Sequence, residues 1–322
     1  MSKFRKSVMS VAIAASALAA AAINQPAFAQ SAQPQAETGQ TAERDLSALS
    51  FNEKNELAKK GDVAAQVSLA RDYLEGANGA RKSSSRAARW LTTAAEKGDA
   101  EAQFLLAELL MEGASGLKAN PANALTLYAS AADKGNVEAA YKAAHGYHYG
   151  TGVKPDLAQA VKYYTKAADG GNVAAKNNLG LMYLQGMGTE RDLTTAFRLF
   201  DESAKTGNAW GQNNLGGMYE MGWGTAKDFD QALAYYEKSA TQGNKHGQQN
   251  HARLKAVVAA AKAAEEKLEA ESTKAAEEQQ GSAEAAKPEA EAAASQQPAS
   301  ATAEQATEAK PEPATGSSAT TN

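Results

Sequence analysis

The sequence contains no cysteine. Disulfide staples, thiolate metal sites and a lipid anchor on cysteine are thereby excluded, and stability has to come from packing. Strong charge of one sign is also missing, since 322 residues carry a net −4. Lys3, Arg5 and Lys6 hold three of the positive charges, and the stretch after Lys274 has eight Glu against two Lys. Residues 30–274 are left at −1. So balanced a region lacks the basic footprint that phosphate binding requires, and no nucleic-acid partner is expected. Aromatic residues are absent from Ala275 to Asn322. That stretch cannot bury enough apolar surface to offset an ordering entropy of about 1–2 kcal/mol per residue. Residues 279–322 are read as a disordered Ala/Glu/Pro/Ser/Thr-rich tail.

Long hydrophobic runs are scarce. Val8–Ile23 follows the basic start, is rich in alanine, and leads to Ala27-Phe28-Ala29. Small residues in that spacing suit signal peptidase. A spanning helix needs about 20 strongly apolar residues, more than this run offers. The expectation is a signal peptide over 1–29 cleaved after Ala29, a flexible segment over 30–42, and a periplasmic or secreted mature chain with no membrane anchor.

What the sequence does have is a repeat. Gly followed by Asp or Asn recurs at Gly61, Gly98, Gly135, Gly171, Gly207 and Gly243, at spacings of 37, 37, 36, 36 and 36. Eight residues after each of the first five stand Leu69, Leu106, Ala143, Leu179 and Leu215. Four residues before these come Ala65, Ala102, Ala139, Ala175 and Gly211, and four after come Tyr73, Leu110, Tyr147, Tyr183 and Tyr219. Steps of four place these positions on one face of a helix, here called helix A. Gly76, Gly113, Gly150, Gly186 and Gly222 then stop it, because glycine takes the left-handed conformation at little cost.

A second helix, helix B, starts after Ser83, Asn120, Asp156, Asp192 and Asp228, all good N-caps. Pro121 suits the first helical position, and Asp156…Gln159 and Asp228…Gln231 have capping-box spacing. Paired large residues follow, as at Tyr163-Tyr164, Leu199-Phe200 and Tyr235-Tyr236, with small residues at the helix ends. The repeats run 62–98, 99–135, 136–171, 172–207 and 208–243.

Asn178-Leu179-Gly180-x-x-Tyr183-x-x-Gly186-x-Gly188 resembles the Sel1-like repeat, a relative of the tetratricopeptide repeat, and Asn214-Leu215-Gly216-x-x-Tyr219-x-x-Gly222-x-Gly224 repeats it. The third unit adds Gly150-x-Gly152, Asp156, Ala160 and Tyr163-Tyr164. The first two units depart by one extra residue before helix B. The resemblance implies an all-α fold, a right-handed superhelical solenoid with a concave face lined mainly by A helices, and protein–protein binding. Such arrays bury a core only by stacking, and five units suffice. An N-terminal capping helix is expected within 43–61, carrying Leu46, Leu49, Phe51 and Leu57. A C-terminal capping helix is expected over 244–278, where His251 takes the leucine position. Leu254, Val257, Ala261, Ala264 and Leu268 give that helix either a polar cap's inner face or a coiled-coil seam weakened by its alanines, with a monomer favoured.

No motif carries a reaction. Lys205-Thr206-Gly207 has the lettering of penicillin-recognising enzymes, yet no Ser-x-x-Lys or Ser-Asp-Asn accompanies it, and Gly207 is a repeat marker. The Gly-x-Gly loops do not continue into phosphate- or dinucleotide-binding patterns. His145 and His148 share a helical face at a spacing of three, but no third ligand is visible nearby. No catalytic residue, metal or cofactor is assigned. Beside the core stripe of the A helices lie Phe104, Met111, Tyr141, His145, His148, Leu181, Leu184 and Trp210. They either form a peptide groove or pack between units, and periodicity does not separate the two. The expectation is a non-enzymatic scaffold or regulator of an envelope process that binds a protein partner on the concave face. A cell-wall or glycan-associated protein or enzyme is the alternative, and a structural spacer a third reading.

Overall fold

The computed structural model describes residue 46, residues 48–114 and residues 116–294. The expected signal segment 1–29, the segment 30–42 and the tail beyond 294 lie outside the described residues.

Among the described residues the chain is a succession of helices: α1 (Phe51–Lys59), α2 (Val63–Glu75), α3 (Ser84–Glu96), α4 (Ala100–Glu112), α5 (Pro121–Asp133), α6 (Val137–Tyr149), α7 (Leu157–Asp169), α8 (Val173–Gln185), α9 (Leu193–Lys205), α10 (Ala209–Met221), α11 (Phe229–Thr241) and α12 (Lys245–Ala294). From α1 to α11 each helix packs on the next in sequence. The even-numbered helices α2 to α10 are the A helices, and the odd-numbered helices α3 to α11 the B helices.

Caps set the boundaries. Asp62, Asp99, Asn136, Asn172 and Asn208 each accept, through Oδ1, the backbone N–H three residues on, at 2.7–2.9 Å. One of the unpaired donors of each A helix is thereby satisfied. Asp156 and Asp228 make the same forward bond to Gln159 and Gln231. The reciprocal capping box forms at Ser50 and Glu53 instead.

Packing follows from two columns of residues. Ala65, Ala102, Ala139 and Ala175 are completely buried, which brings each A helix close to the end of the preceding B helix. The second large residue of each B-helix pair, Leu91, Tyr128, Tyr164, Phe200 and Tyr236, is also buried. Each such side chain contributes about 1.5–3 kcal/mol. A Cβ at Gly180 would stand 2.7 Å from Phe200 Cε1, and one at Gly216 2.8 Å from Tyr236 Cδ1, so these glycines admit the rings.

The sequence pattern put Tyr147, Tyr183 and Tyr219 in the core stripe, but they are only half-buried. The position just before them is the interior one, occupied by Gly146, Met182 and Met218, and in α12 by Leu254. Three and four residues on from the leucine position both lie near the stripe, so spacing alone does not choose between them. Two of them stack on the first ring of the B-helix pair instead, Tyr147 on Tyr163 at 5.7 Å and Tyr219 on Tyr235 at 5.8 Å.

The chain divides into two compact units, one ending at Ala261 and the other beginning at Lys262. In the first, Leu254 is 1 % exposed and clusters with Ala232 and Tyr236, so this residue of the expected seam is taken up by the last repeat. In the second, Leu268 is half exposed. The helix also runs past 278, where the tail was expected to begin, as far as Ala294. Alanine, Glu and Lys are strong helix formers, and Lys267–Glu271 and Lys274–Glu278 pair across one turn. Helix propagation on a formed nucleus needs no tertiary core.

Candidate binding surface

The A helices present a second stripe beside the core, and α6 carries most of its rings. Tyr141, His145, His148 and Tyr149 follow one another along that helix. Tyr149 lies 4.4 Å from His148, nearly parallel to it, and 4.5 Å from His145. Tyr141 is 6.5 Å from His145. Tyr164 of α7 forms the floor, 6.0 Å from both Tyr141 and His148, and its hydroxyl accepts Asn178 Nδ2 at 3.3 Å. Tyr149 is 40 % exposed, while Tyr141, His145 and His148 are half-buried.

Electrostatics fit that placement. Burial pushes His145 below its ordinary pKa, helped by the nearby charges of His148 and Lys142, and burial alone does so for His148. His148 Nδ1 is buried with no hydrogen-bond partner, so a proton there would be an unpaired buried charge. Burial likewise raises Tyr149. Tyr128 of α5 donates its hydroxyl to Glu108 of the neighbouring α4, and Lys142 Nζ approaches Glu108 at 3.3 Å. Burial, with the carboxylates of Glu108, Glu112 and Glu138 around it, drives the Tyr128 hydroxyl far above its usual range. Burial also raises Glu138, against the opposing charge of Lys142.

These histidines make the stability pH-dependent. The unfolded chain protonates them near an ordinary 6.5, while burial lowers the pKa of both rings in the folded chain. Below that pH the unfolded state binds more protons, so stability falls as pH drops toward the lowered folded pKa. Glu138, raised when folded, acts in the opposite sense at lower pH. A His145→Gln/His148→Gln variant is expected to flatten the slope of Tm between about pH 7 and about pH 5.5. Scanning calorimetry checks this, and an unchanged slope would show that other groups set it.

The remaining expected residues are dispersed. Phe104 lies 6.0 Å from Tyr128 and, with Met111, packs against the main core. Leu181 packs on a second cluster, and Leu184, 7 % exposed, belongs to its interior. Leu184 is thus removed from the binding set, because its helical position points into the seam with the next unit. Trp210 stands apart from the α6 rings, 5.5 Å from His246 of α12.

Sequence reasoning missed a polar chain along the same stripe. Asn250 Nδ2 donates to Asn213 Oδ1 at 3.0 Å, Asn213 to Asn214 at 3.3 Å, and Asn214 to Asn177 at 2.9 Å. Three successive A-type helices, α8, α10 and α12, are tied through side-chain amides, a polarised chain of the kind in which bonds reinforce one another. The Asn-Asn pairs before Leu179 and Leu215 were the available signal. Lys205-Thr206-Gly207 is merely the end of α9, where Thr206 Oγ1 bonds Ser203 O and Lys205 pairs with Asp201. Among the described residues no group of three or more His, Asp or Glu side chains is placed to hold a metal ion. None of the described helices is long and apolar enough to cross a membrane.

Consecutive two-helix units closed by aspartate or asparagine caps, and sharing side-chain stripes, define an all-α repeat solenoid. The chain belongs to the Sel1 repeat family, whose model matches residues 63–99, 100–136, 137–172, 173–208 and 211–244. Among solved structures it is similar to a protective antigen present in uropathogenic Escherichia coli strains that displays an SLR fold. The two are 34 % identical with a TM-score of 0.60, the match covering 63 % of this chain and 43 % of the antigen. This chain therefore matches less than half of that protein's length. A Sel1 repeat protein from Oxalobacter formigenes is 28 % identical with a TM-score of 0.51, covering 62 % of this chain and 86 % of its own. No curated protein matches the chain. Sel1 repeat proteins serve as protein-interaction scaffolds and are generally non-enzymatic.

Proposed function

We propose that this chain is an exported, monomeric, non-enzymatic scaffold that binds a protein partner through the concave stripe of its A helices, in the service of an envelope process. The observation that carries the reading is the ring-lined face of α6, where Tyr149 remains open to solvent although its neighbours crowd it. Solvent-sharing aromatics with polar tips are the anchors that protein interfaces use most. The basic start, the alanine-rich run and Ala27-Phe28-Ala29 support export.

The test is site-specific crosslinking in intact cells. A photoreactive residue at Tyr141 or Trp210 is expected to trap one partner, while one at the exposed B-helix residue Glu237 is not. A Tyr141→Ala/Trp210→Ala variant should weaken capture by roughly tenfold or more, since anchor truncations cost about 2 kcal/mol. Equal trapping from all three positions would remove the proposed face.

A further inference from the structure

The ring-lined face of α6 has a charged margin. Glu108 and Glu112 of α4 and Glu138 of α6 stand along it, against the cation Lys142. Lys142 is engaged by Glu108 at 3.3 Å. Glu108 also accepts the Tyr128 hydroxyl, which uses that carboxylate further. Glu138 and Glu112 have no ion pair within 4.0 Å among the described residues. Glu138 lies one helical turn from Tyr141, followed by His145 and Tyr149 on the same face. It is accessible to solvent yet crowded enough that burial raises its pKa.

Resting on the reading of this face as the interaction surface, we propose that it selects a partner segment carrying an arginine or lysine. The cationic head pairs with Glu138, and its aliphatic stem lies across Tyr141, His145 and Tyr149. Charge complementarity argues for this occupant. A carboxylate without a direct ion pair in a crowded site gains most from a cation that brings its own donors. The ring faces attract a cation as well, and the long stem of Arg or Lys covers apolar surface while its head stays polar. An acidic segment would instead add like charge to a margin where three carboxylates face one cation that is already engaged. The neutral state of His145 and His148 near pH 7 keeps the rings from repelling such a guest.

The probe is a pair of synthetic peptides of identical length, each with a central phenylalanine flanked by arginines in one and by glutamates in the other. Titration of the folded protein at low salt, followed through the histidine C2–H signals and by calorimetry, reads the binding. The arginine peptide is expected to bind, to shift the His145 and His148 signals, and to weaken as ionic strength rises. Glu138→Gln should lower its affinity about tenfold, the usual size of a lost charge-assisted bond. Glu138→Lys should invert the preference toward the glutamate peptide, an outcome that a misfolded variant would not give. Equal binding of the two peptides, no binding of the arginine peptide, or unchanged affinity in Glu138→Gln would overturn the proposal. Crosslinking from Tyr141 that persists undiminished in Glu138→Gln would also overturn it, while leaving the scaffold function in place.

Discussion

Replacing Lys54 by methionine is expected to lower stability by about 3–5 kcal/mol, the cost of leaving one partner of a buried ion pair alone. Lys54 Nζ lies 2.9 Å from Asp72 Oδ2 and 3.2 Å from Oδ1, and the two side chains are 3 % and 7 % exposed. Asn78 Nδ2 adds a bond to Asp72 Oδ1 at 2.8 Å. The pair joins α1 to α2, so it fixes the N-terminal cap on the first repeat. Methionine fills the volume of the lysine stem but supplies no charge, and the carboxylate remains buried with one amide donor. The double variant Lys54→Met/Asp72→Leu should recover most of the loss, because it removes both charges while Asn78, exposed, turns to water. Denaturant unfolding of the two variants distinguishes the outcomes. A single variant within 1 kcal/mol of the parent would mean that solvent reaches Asp72 far more freely than its burial implies.

The other end has a matching clasp. Arg253 Nη1 and Nη2 reach Glu220 Oε1 and Oε2 at 2.8 and 2.7 Å, and Tyr236 donates to Oε2 at 2.8 Å. Glu220 is 8 % exposed, and the fork geometry holds the start of α12 against α10 and α11. A repeat array must close its outermost units, and here each closure uses a buried carboxylate with more than one donor.

The second large effect is expected at Gly188. Its φ of +69° lies in the left-handed region, and a Cβ there would run into the carbonyl group of Leu157, the first residue of α7 in the preceding unit. The left-handed conformation costs a side chain about 1–2 kcal/mol, and the overpacking adds about 1–3 kcal/mol. Gly188→Ala should therefore lose about 3 kcal/mol in chemical unfolding. Gly207→Ala, with φ +86° but nothing within 4 Å, should lose only the conformational part. Equal losses in the two variants would refute the close approach. Gly152 and Gly224 repeat the arrangement on Pro121-Ala122 and on Leu193, so one loop position seals every inter-unit seam from the third unit on.

Much of this was legible in the sequence because a repeat states its own rule several times. The interval between Gly-Asp and Gly-Asn pairs, the cap residues and the apolar columns each depend on local geometry, which a helix imposes wherever it occurs. Five units, their N-caps and the large residue pair of helix B could be placed without coordinates. What spacing left open was any choice between neighbouring residues on a turn. Met182 rather than Tyr183 fills the interior, and Leu184 belongs to the seam rather than to an open face, because the next unit decides which side of the stripe is covered. The second glycine of each Gly-x-Gly loop, at Gly152, Gly188 and Gly224, proved to be a contact between units.

The candidate binding surface divides in the same way. Tyr141, His145 and His148 could be picked from their helical spacing, but their gathering around Tyr164 required the packing of α6 on α7. That Glu138 is left without an ion pair depends on Lys142 reaching Glu108 across units. The asparagine chain joins residues 37 apart. Sequence by itself determined the periodic module and its family, since hydrogen-bond caps and helical periodicity act over a few residues. Tertiary structure alone decided which side chains are hidden, which charges remain uncompensated and how the ends are closed, because each of those depends on atoms brought together from different units.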